Sequence, residues 1–253
     1  MAQRRALIGQ TASGELRPGR LAGREPRLPS LAEEVADAPT LAGLGSIGEP
    51  TVTVTGETRG DTCHLDVVDR WGNLVSATPS GGWLQSSPVV PALGFALGTR
   101  LQMTWLEEGL PSTLIPGCRP RTTLTPTLVL RDDQPVAAMG SPGGDQQDQW
   151  QLLYLLRTIV GGYHPQEAID APALHTTSAP SSFWPRQRTP NGAVVEDRIG
   201  TTVVEELRRR GHEVTLAGDW ALGRLSAAGR DPARGVVWAA ANPRGMQGYA
   251  VGR

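Results

Sequence analysis

The run Gly60-Asp61-Thr62-Cys63-His64-Leu65-Asp66-Val67-Val68-Asp69-Arg70-Trp71-Gly72-Asn73-Leu74-Val75-Ser76-Ala77-Thr78 reads as a β-hairpin. Polar and apolar residues alternate through its first arm, so Cys63, Leu65 and Val67 share one face. Arg70-Trp71-Gly72-Asn73 supplies the turn, residues 74–78 run back, and the open end of the pair lies at Asp61 and Thr62.

Working outward from the hairpin, β-prone runs predict strands over 51–55, 127–130, 135–139, 193–196, 213–216 and 236–240. Residues 145–160 carry Trp150, Leu153, Tyr154, Leu156 and Val160 at helical spacing and stop at Gly161 and Gly162. A second helix spans 202–210. It opens with Thr202 and Glu205 at capping-box spacing, turns Val203, Val204 and Leu207 inward and ends at Gly211. Arg208, Arg209 and Arg210 then form a solvated face where cations suit the helix dipole. Before the hairpin, Pro, Gly, Arg and Glu dominate 14–29, and only 31–35 and 41–44 are apolar clusters, which predicts a loosely ordered lead-in with one short helix. The mixture of elements is α/β or α+β.

Among 253 residues, 24 basic side chains, every one Arg, face 25 acidic ones, for a net charge of -1. Nothing global attracts nucleic acid or an anionic membrane. Cys63 and Cys118 are far apart, form no CxxC and have no neighbouring His cluster, which argues against a zinc site and a disulfide framework. The apolar run after Arg4 and Arg5 ends at Gln10, short of a signal-peptide core. No later stretch reaches the ~18 apolar residues of a membrane span, so the expectation is a soluble, cytoplasmic protein.

Two further segments stand downstream of the hairpin in a telling order: Pro116-Gly117-Cys118-Arg119-Pro120-Arg121-Thr122-Thr123-Leu124-Thr125-Pro126-Thr127, and the loop Gly140-Ser141-Pro142-Gly143-Gly144. With the closing Asn242-Pro243-Arg244, they and the hairpin resemble the gamma-glutamyltranspeptidase family of N-terminal-nucleophile hydrolases, from about Thr51 to the C-terminus. The resemblance implies an α+β fold, a four-layer αββα sandwich built from both products of self-cleavage and incomplete in this chain. Residues 1–61 would be the C-terminal end of the large-subunit segment, and 62–253 the small-subunit-like catalytic domain. It implies cleavage between Asp61 and Thr62, with Thr62 the nucleophile. Ser80 falls where the family has a threonine bonded to the nucleophile's amine, Thr122 and Thr123 hold substrate-binding hydroxyl positions, and Gly143 and Gly144 form the oxyanion loop. No metal or cofactor is implied. A separate large-subunit partner, or a second copy, would complete the molecule.

The chemistry suits these residues. An alkanol nucleophile needs a base within hydrogen-bond reach, and a freed α-amine with a pKa near ~8 is one. Before cleavage, Oγ of Thr62 can attack the Asp61 carbonyl to give an ester that water opens. Two amides without Cβ atoms, set at a helix start, suit a developing oxyanion. On the residues alone, plainer roles stay open: a strand threonine, a turn serine, β-surface threonines and a turn before a helix.

Departures from the family pattern bear on substrate. Gly82 stands where gamma-glutamyl enzymes have a substrate-binding asparagine, and Met103 stands where an acidic residue would grip the substrate's ammonium. The segments 78–88, 142–150, 180–186 and 242–249 look most like the oxamate amidohydrolase branch. That likeness implies a small amide substrate, with Arg100, Arg119 or Arg121 holding a carboxylate and Trp83, Trp150 and Trp184 roofing a pocket. Core packing is the alternative for each Trp. Two other readings remain: a gamma-glutamyl hydrolase or transferase of glutathione type, and a non-catalytic fragment or subunit.

Overall fold

The computed structural model describes residues 2–30, 62–81, 87–98, 100–183, 186–244 and 248–252. The strand expected at 51–55, the short helix of the lead-in, Asp61, Gly82, Trp83 and Trp184 lie outside them.

The N-terminal segment starts with a helical turn, α1 (Ala2–Arg5), and then runs as an extended strap. The Ala12 amide donates to the Arg210 carbonyl, and the Ser30 amide donates to the Glu107 carboxylate at 2.8 Å. The hairpin follows as β1 (Leu65–Val68) and β2 (Leu74–Ala77), antiparallel with Leu65 opposite Ala77. Its turn is closed by Asp69, which accepts from the Asn73 side chain at 2.7 Å and from the Trp71 and Asn73 amides. A small antiparallel pair, β3 (Val89–Val90) and β4 (Phe95–Ala96), and a 3-10 turn (Arg100–Met103) lead to the main sheet.

That sheet is built from β5 (Thr127–Arg131), β6 (Gln134–Gly140), β10 (Ser226–Asp231) and β11 (Val236–Ala241), in the order β11-β10-β6-β5 and antiparallel throughout. A third sheet holds β7 (Leu174–Thr176), β8 (Gly192–Val195) and β9 (Glu213–Leu216), with β8 and β9 parallel and joined through α4 (Thr201–Arg209). One face of the four-stranded sheet carries α2 (Gln147–Leu155) and α3 (Pro165–Asp170) over a core of Met139, Tyr154, Ala168, Ile169, Leu225, Ala227 and Ala240. The hairpin lies across the other face, so two sheets meet front to front.

Five of the expected strands form within a residue or two of their predicted bounds. Two others, the central β10 and the edge strand β7, carry little signal. β10 is Ser-Ala-Ala-Gly-Arg-Asp, with no β-branched or aromatic residue, because it is squeezed from both sides: a Cβ on Gly229 would lie 2.3 Å from the Trp238 ring. β7 has only three residues. The helix expected over 145–160 has three parts, a 3-10 turn (Gly144–Gln146), α2 and a π-helical turn (Leu156–Val160). The last part rotates its side chains off the helical stripe and leaves Leu156 and Val160 exposed. The capping box at Thr202 does not form. Gly200, at φ 90°, is the N-cap with no side-chain bond, Val203 faces solvent, and Val204 alone of the three expected residues is fully buried. No helix among the described residues is long and apolar enough to cross a membrane.

Candidate active site

The hairpin register runs on past its last paired residue, since the Cys63 amide donates to the Pro79 carbonyl at 3.1 Å. Residues on its inner face therefore oppose one another in sequence: Asp66 with Ser76, His64 with Thr78, and Thr62 with Ser80. Thr62 and Ser80 are joined hydroxyl to hydroxyl at 2.7 Å. His64 bonds Thr78 Oγ1 through Nδ1 at 2.8 Å and Asp66 Oδ2 through Nε2 at 2.9 Å. The Ser226 hydroxyl donates to the same carboxylate oxygen at 3.1 Å, and Ser76 donates to the Met139 carbonyl. Thr62 and Thr78 are buried, and the His64 and Asp66 side chains are each only 2% exposed. The space between the sheets is thus lined by hydrogen-bonding groups. Cys63, Leu65 and Val67 face outward, Leu65 and Val67 about half exposed.

β6 runs in the same direction as the inner face read backwards from Asp66 to Thr62. Ser76, opposite Asp66, sits on Met139, and His64 sits on Gly140. Thr62 is the next step toward the 141–144 loop that follows β6. In that loop Gly143 has φ 138° and Gly144 φ 56°, backbone that only glycine adopts readily. A Cβ on Gly143 would come 2.5 Å from the Trp150 ring. Their carbonyls accept the first bonds of the helical turns, from Gln146 and Gln147. Their amides, as the leading donors of a helix, have no partner within it.

Asp145, directly after the loop, is held by the Ser182 hydroxyl and by the Ser182 amide at 2.8 Å, and Arg121 donates to the same Ser182 hydroxyl at 2.6 Å. Arg121 also lines an open cleft of about 410 Å³ with Arg27, Trp105, Leu110, Pro111 and Pro180. Arg186 donates to the Gln102 and Thr104 carbonyls and stacks on Trp105 at 4.5 Å. Burial, with the nearby Arg121 charge, lowers its pKa from the usual guanidinium value. The remaining expected residues are spread around this centre. Thr123 is buried, while the exposed Thr122 hydroxyl accepts from the Leu124 amide in a local turn. Arg100 is half-buried on its 3-10 turn beside the fully buried Met103, and Arg119 is exposed. Trp150 packs in a core cluster with Ala173, Val194 and Leu222, which is the plainer of its two expected roles.

His64, Asp66, Thr78 and Ser226 were not singled out by sequence reasoning. For the hairpin residues the signal is present as the other half of an alternation, with polar residues at every second position from Thr62 to Asp66 and again at Ser76, Thr78 and Ser80, whereas Ser226 on β10 carries none. Arg244, from the closing Asn242-Pro243-Arg244 segment, forms a buried pair with Glu196, which nothing in the sequence marks as its partner. Arg244 Nε donates to Glu196 at 2.8 Å and its other nitrogens to the Ile169 and Ala171 carbonyls. Burial pushes the Glu196 carboxyl up, but the Arg244 hydrogen bond and charge outweigh it and hold it below the usual range.

The gamma-glutamyltranspeptidase family model matches residues 27–252. A glutathione hydrolase proenzyme of Bacillus subtilis subsp. natto is 32% identical over 154 residues, 60% of this chain and 24% of that protein. An oxamate amidohydrolase proenzyme of Klebsiella pneumoniae is 32% identical over 202 residues, 78% of this chain and 36% of that protein. The chain therefore spans about a quarter to a third of the curated relatives it matches. Among solved structures, that of LmbA2991HD is 58% identical with a TM-score of 0.83, covering all of this chain and 42% of that one. The gamma-glutamyltranspeptidase of Pseudomonas nitroreducens shares the fold at 22% identity and a TM-score of 0.59, over 75% of this chain and 99% of that one. The two facing sheets and their helical cover are those of the N-terminal-nucleophile hydrolases, an α+β fold, and this chain belongs to the gamma-glutamyltranspeptidase family.

Proposed function

We propose that the chain is the catalytic part of a self-processing threonine amidohydrolase acting on a small amide with a neighbouring carboxylate, such as oxamate. The observation that carries the reading is the 2.7 Å bond between the Thr62 and Ser80 hydroxyls, at the edge where β6 opens into the Gly143 and Gly144 loop. In processing, Thr62 Oγ attacks the Asp61 carbonyl, the acyl group passes from nitrogen to oxygen, and water opens the ester. The Thr62 amine freed in this way is the base for turnover. It takes the Oγ proton as Oγ attacks the substrate carbonyl, and the oxyanion falls to the Gly143 and Gly144 amides. The proton passes to the leaving nitrogen and ammonia departs. Water then hydrolyses the acyl ester of Thr62 and releases the carboxylic acid.

Substrate class is supported by a departure from the family pattern and by one cation. Met103, fully buried where the family has an acidic residue, cannot pair with an ammonium group, which disfavours a gamma-glutamyl substrate, while Arg121 reaches the Ser182 that holds Asp145 after the loop and suits a carboxylate. Thr123, buried close by in sequence, would add a hydroxyl to that recognition, and Arg100 is the alternative cation. A completing partner, a separate large subunit or a second copy, is supported by uncovered apolar faces: Leu65, Val67 and Val75 on the hairpin, and Leu152, Leu156 and Ile159 along the α2 side.

Mass spectrometry of the purified chain tests the mechanism. Fragments 1–61 and 62–253 are expected, with Thr62→Ala left whole. Cleavage of that bond in Thr62→Ala would assign it to another protease. Ammonia release from oxamate, with glutathione turned over poorly, is the expected selectivity, and the reverse would move the chain to the glutathione hydrolases.

A further inference from the structure

We propose that His64 is the positioning residue that sets Thr62 against the 141–144 loop. Its ring is the spacer between the hairpin carrying the nucleophile and the strand leading into the loop. The inference rests on the roles given above to Thr62, Gly143 and Gly144.

The ring is held at both nitrogens. With Nε2–H donating to Asp66 Oδ2, Nδ1 is left to accept from the Thr78 hydroxyl, and every polar hydrogen of the group has a place. The carboxylate is anchored on one side only: Oδ2 also takes the Ser226 hydroxyl, whereas buried Oδ1 has no partner among the described residues. Asp66 therefore fixes His64 from β1 itself, Thr78 fixes it from β2, and Ser226 ties the assembly to β10. Such a group is an expensive filling for the gap between two sheets, where a packed apolar side chain would serve stability as well.

The spacing of the sheets depends on this ring. A Cβ on Gly140 would fall 2.2 Å from His64 Cε1, 2.6 Å from Nε2 and 2.7 Å from Nδ1, so the ring lies flat on the glycine backbone. Thr62 is two residues before His64 on the same inner face, ~6.6 Å along the strand. Gly143 is three residues after Gly140. A packed route from nucleophile to oxyanion loop thus crosses the contact between His64 and Gly140, and a shift there moves the two reacting elements relative to each other.

Cleavage of the full chain at Asp61 and Thr62 is the first readout, and kcat against KM of the processed form on oxamate the second. His64→Ala, Gly140→Ala and Thr78→Val should each slow cleavage, and lower kcat ~10–100-fold with KM little changed, in protein whose circular dichroism melt remains cooperative. Thr78→Val keeps the side-chain shape and guards against the loss of fold in the other two. His64→Gln, which can still reach Asp66, should recover part of the loss. The double variant His64→Ala with Gly140→Ala should be no slower than His64→Ala, because the new methyl enters space the ring has left. Parent-like rates in His64→Ala or Thr78→Val would overturn the inference alone. A parent chain that never cleaves itself would overturn the reading of Thr62, and this inference with it.

Discussion

The two faces of the four-stranded sheet come from the same strands and do opposite work. Toward α2 and α3, alternate residues of β6, β10 and β11 are Met139, Ala227 and Ala240, packed with Tyr154 and Ile169 into an apolar core. Toward the hairpin, the intervening positions are Gly140 and Ser226, set against His64 and Asp66. One face stores stability, while the other holds hydrogen-bonding groups in register beneath Thr62. A one-residue step along β10, from Ser226 to Ala227, crosses between them. The lesson is that polar residues in a strand of this fold need not mark the solvent side.

Changes on the two faces should therefore separate activity from stability. The largest effect belongs to the chemical face. Thr62→Ala should abolish self-cleavage and amide turnover while leaving the urea midpoint close to that of the parent, and a large fall in midpoint would mean that the bond between Thr62 and Ser80 is structural first. On the helix face, Ile169→Ala should cost ~2–5 kcal/mol in urea denaturation, with the cleavage rate of the folded protein unchanged.

A pH titration tests the other apolar cluster, the one around Trp150. His175 on β7 is fully buried at an angle to the Trp150 ring, neither of its ring nitrogens has a partner among the described residues, and burial pushes its pKa down to about 4. The unfolded chain takes up that proton near pH ~6.5, so stability is complete above that value and falls as pH drops from there toward 4, by about 3 kcal/mol. Urea denaturation from pH 7.5 to 4 should show this slope, and His175→Phe should lose that part of it. An unchanged slope in the variant would move the acid sensitivity to other groups. The smallest contrast lies within β10. Ser226→Ala removes one hydrogen bond to Asp66 and should cost ~1 kcal/mol, whereas Ala227→Ser places a hydroxyl in the apolar core and should cost ~1–3 kcal/mol. Equal costs would erase the distinction between the faces.

Much of the arrangement is legible in the residues alone. The hairpin, the strands over 127–130, 135–139, 193–196, 213–216 and 236–240, and the helical run after Gly144 all announce themselves, because β-branched runs, alternation and glycine stops act locally. Capping at Thr202 misleads because a box needs the backbone to turn there, and Gly200 at φ 90° turns it two residues earlier.

What the residues determined by themselves is the period and the parts: an alternating strand, a tight turn, a glycine pair before a helix, and Thr62 at the open end of the hairpin. Which face of that strand looks inward was settled only by tertiary structure. Alternation defines two faces without naming the buried one, and Leu65 and Val67 would be inside in an isolated two-layer domain. Here the inner face meets a second sheet whose glycine, alanine and serine leave room for a histidine and an aspartate. The unassuming composition of β10 and the polarity of β1 are one fact seen from two strands, and neither strand carries it alone.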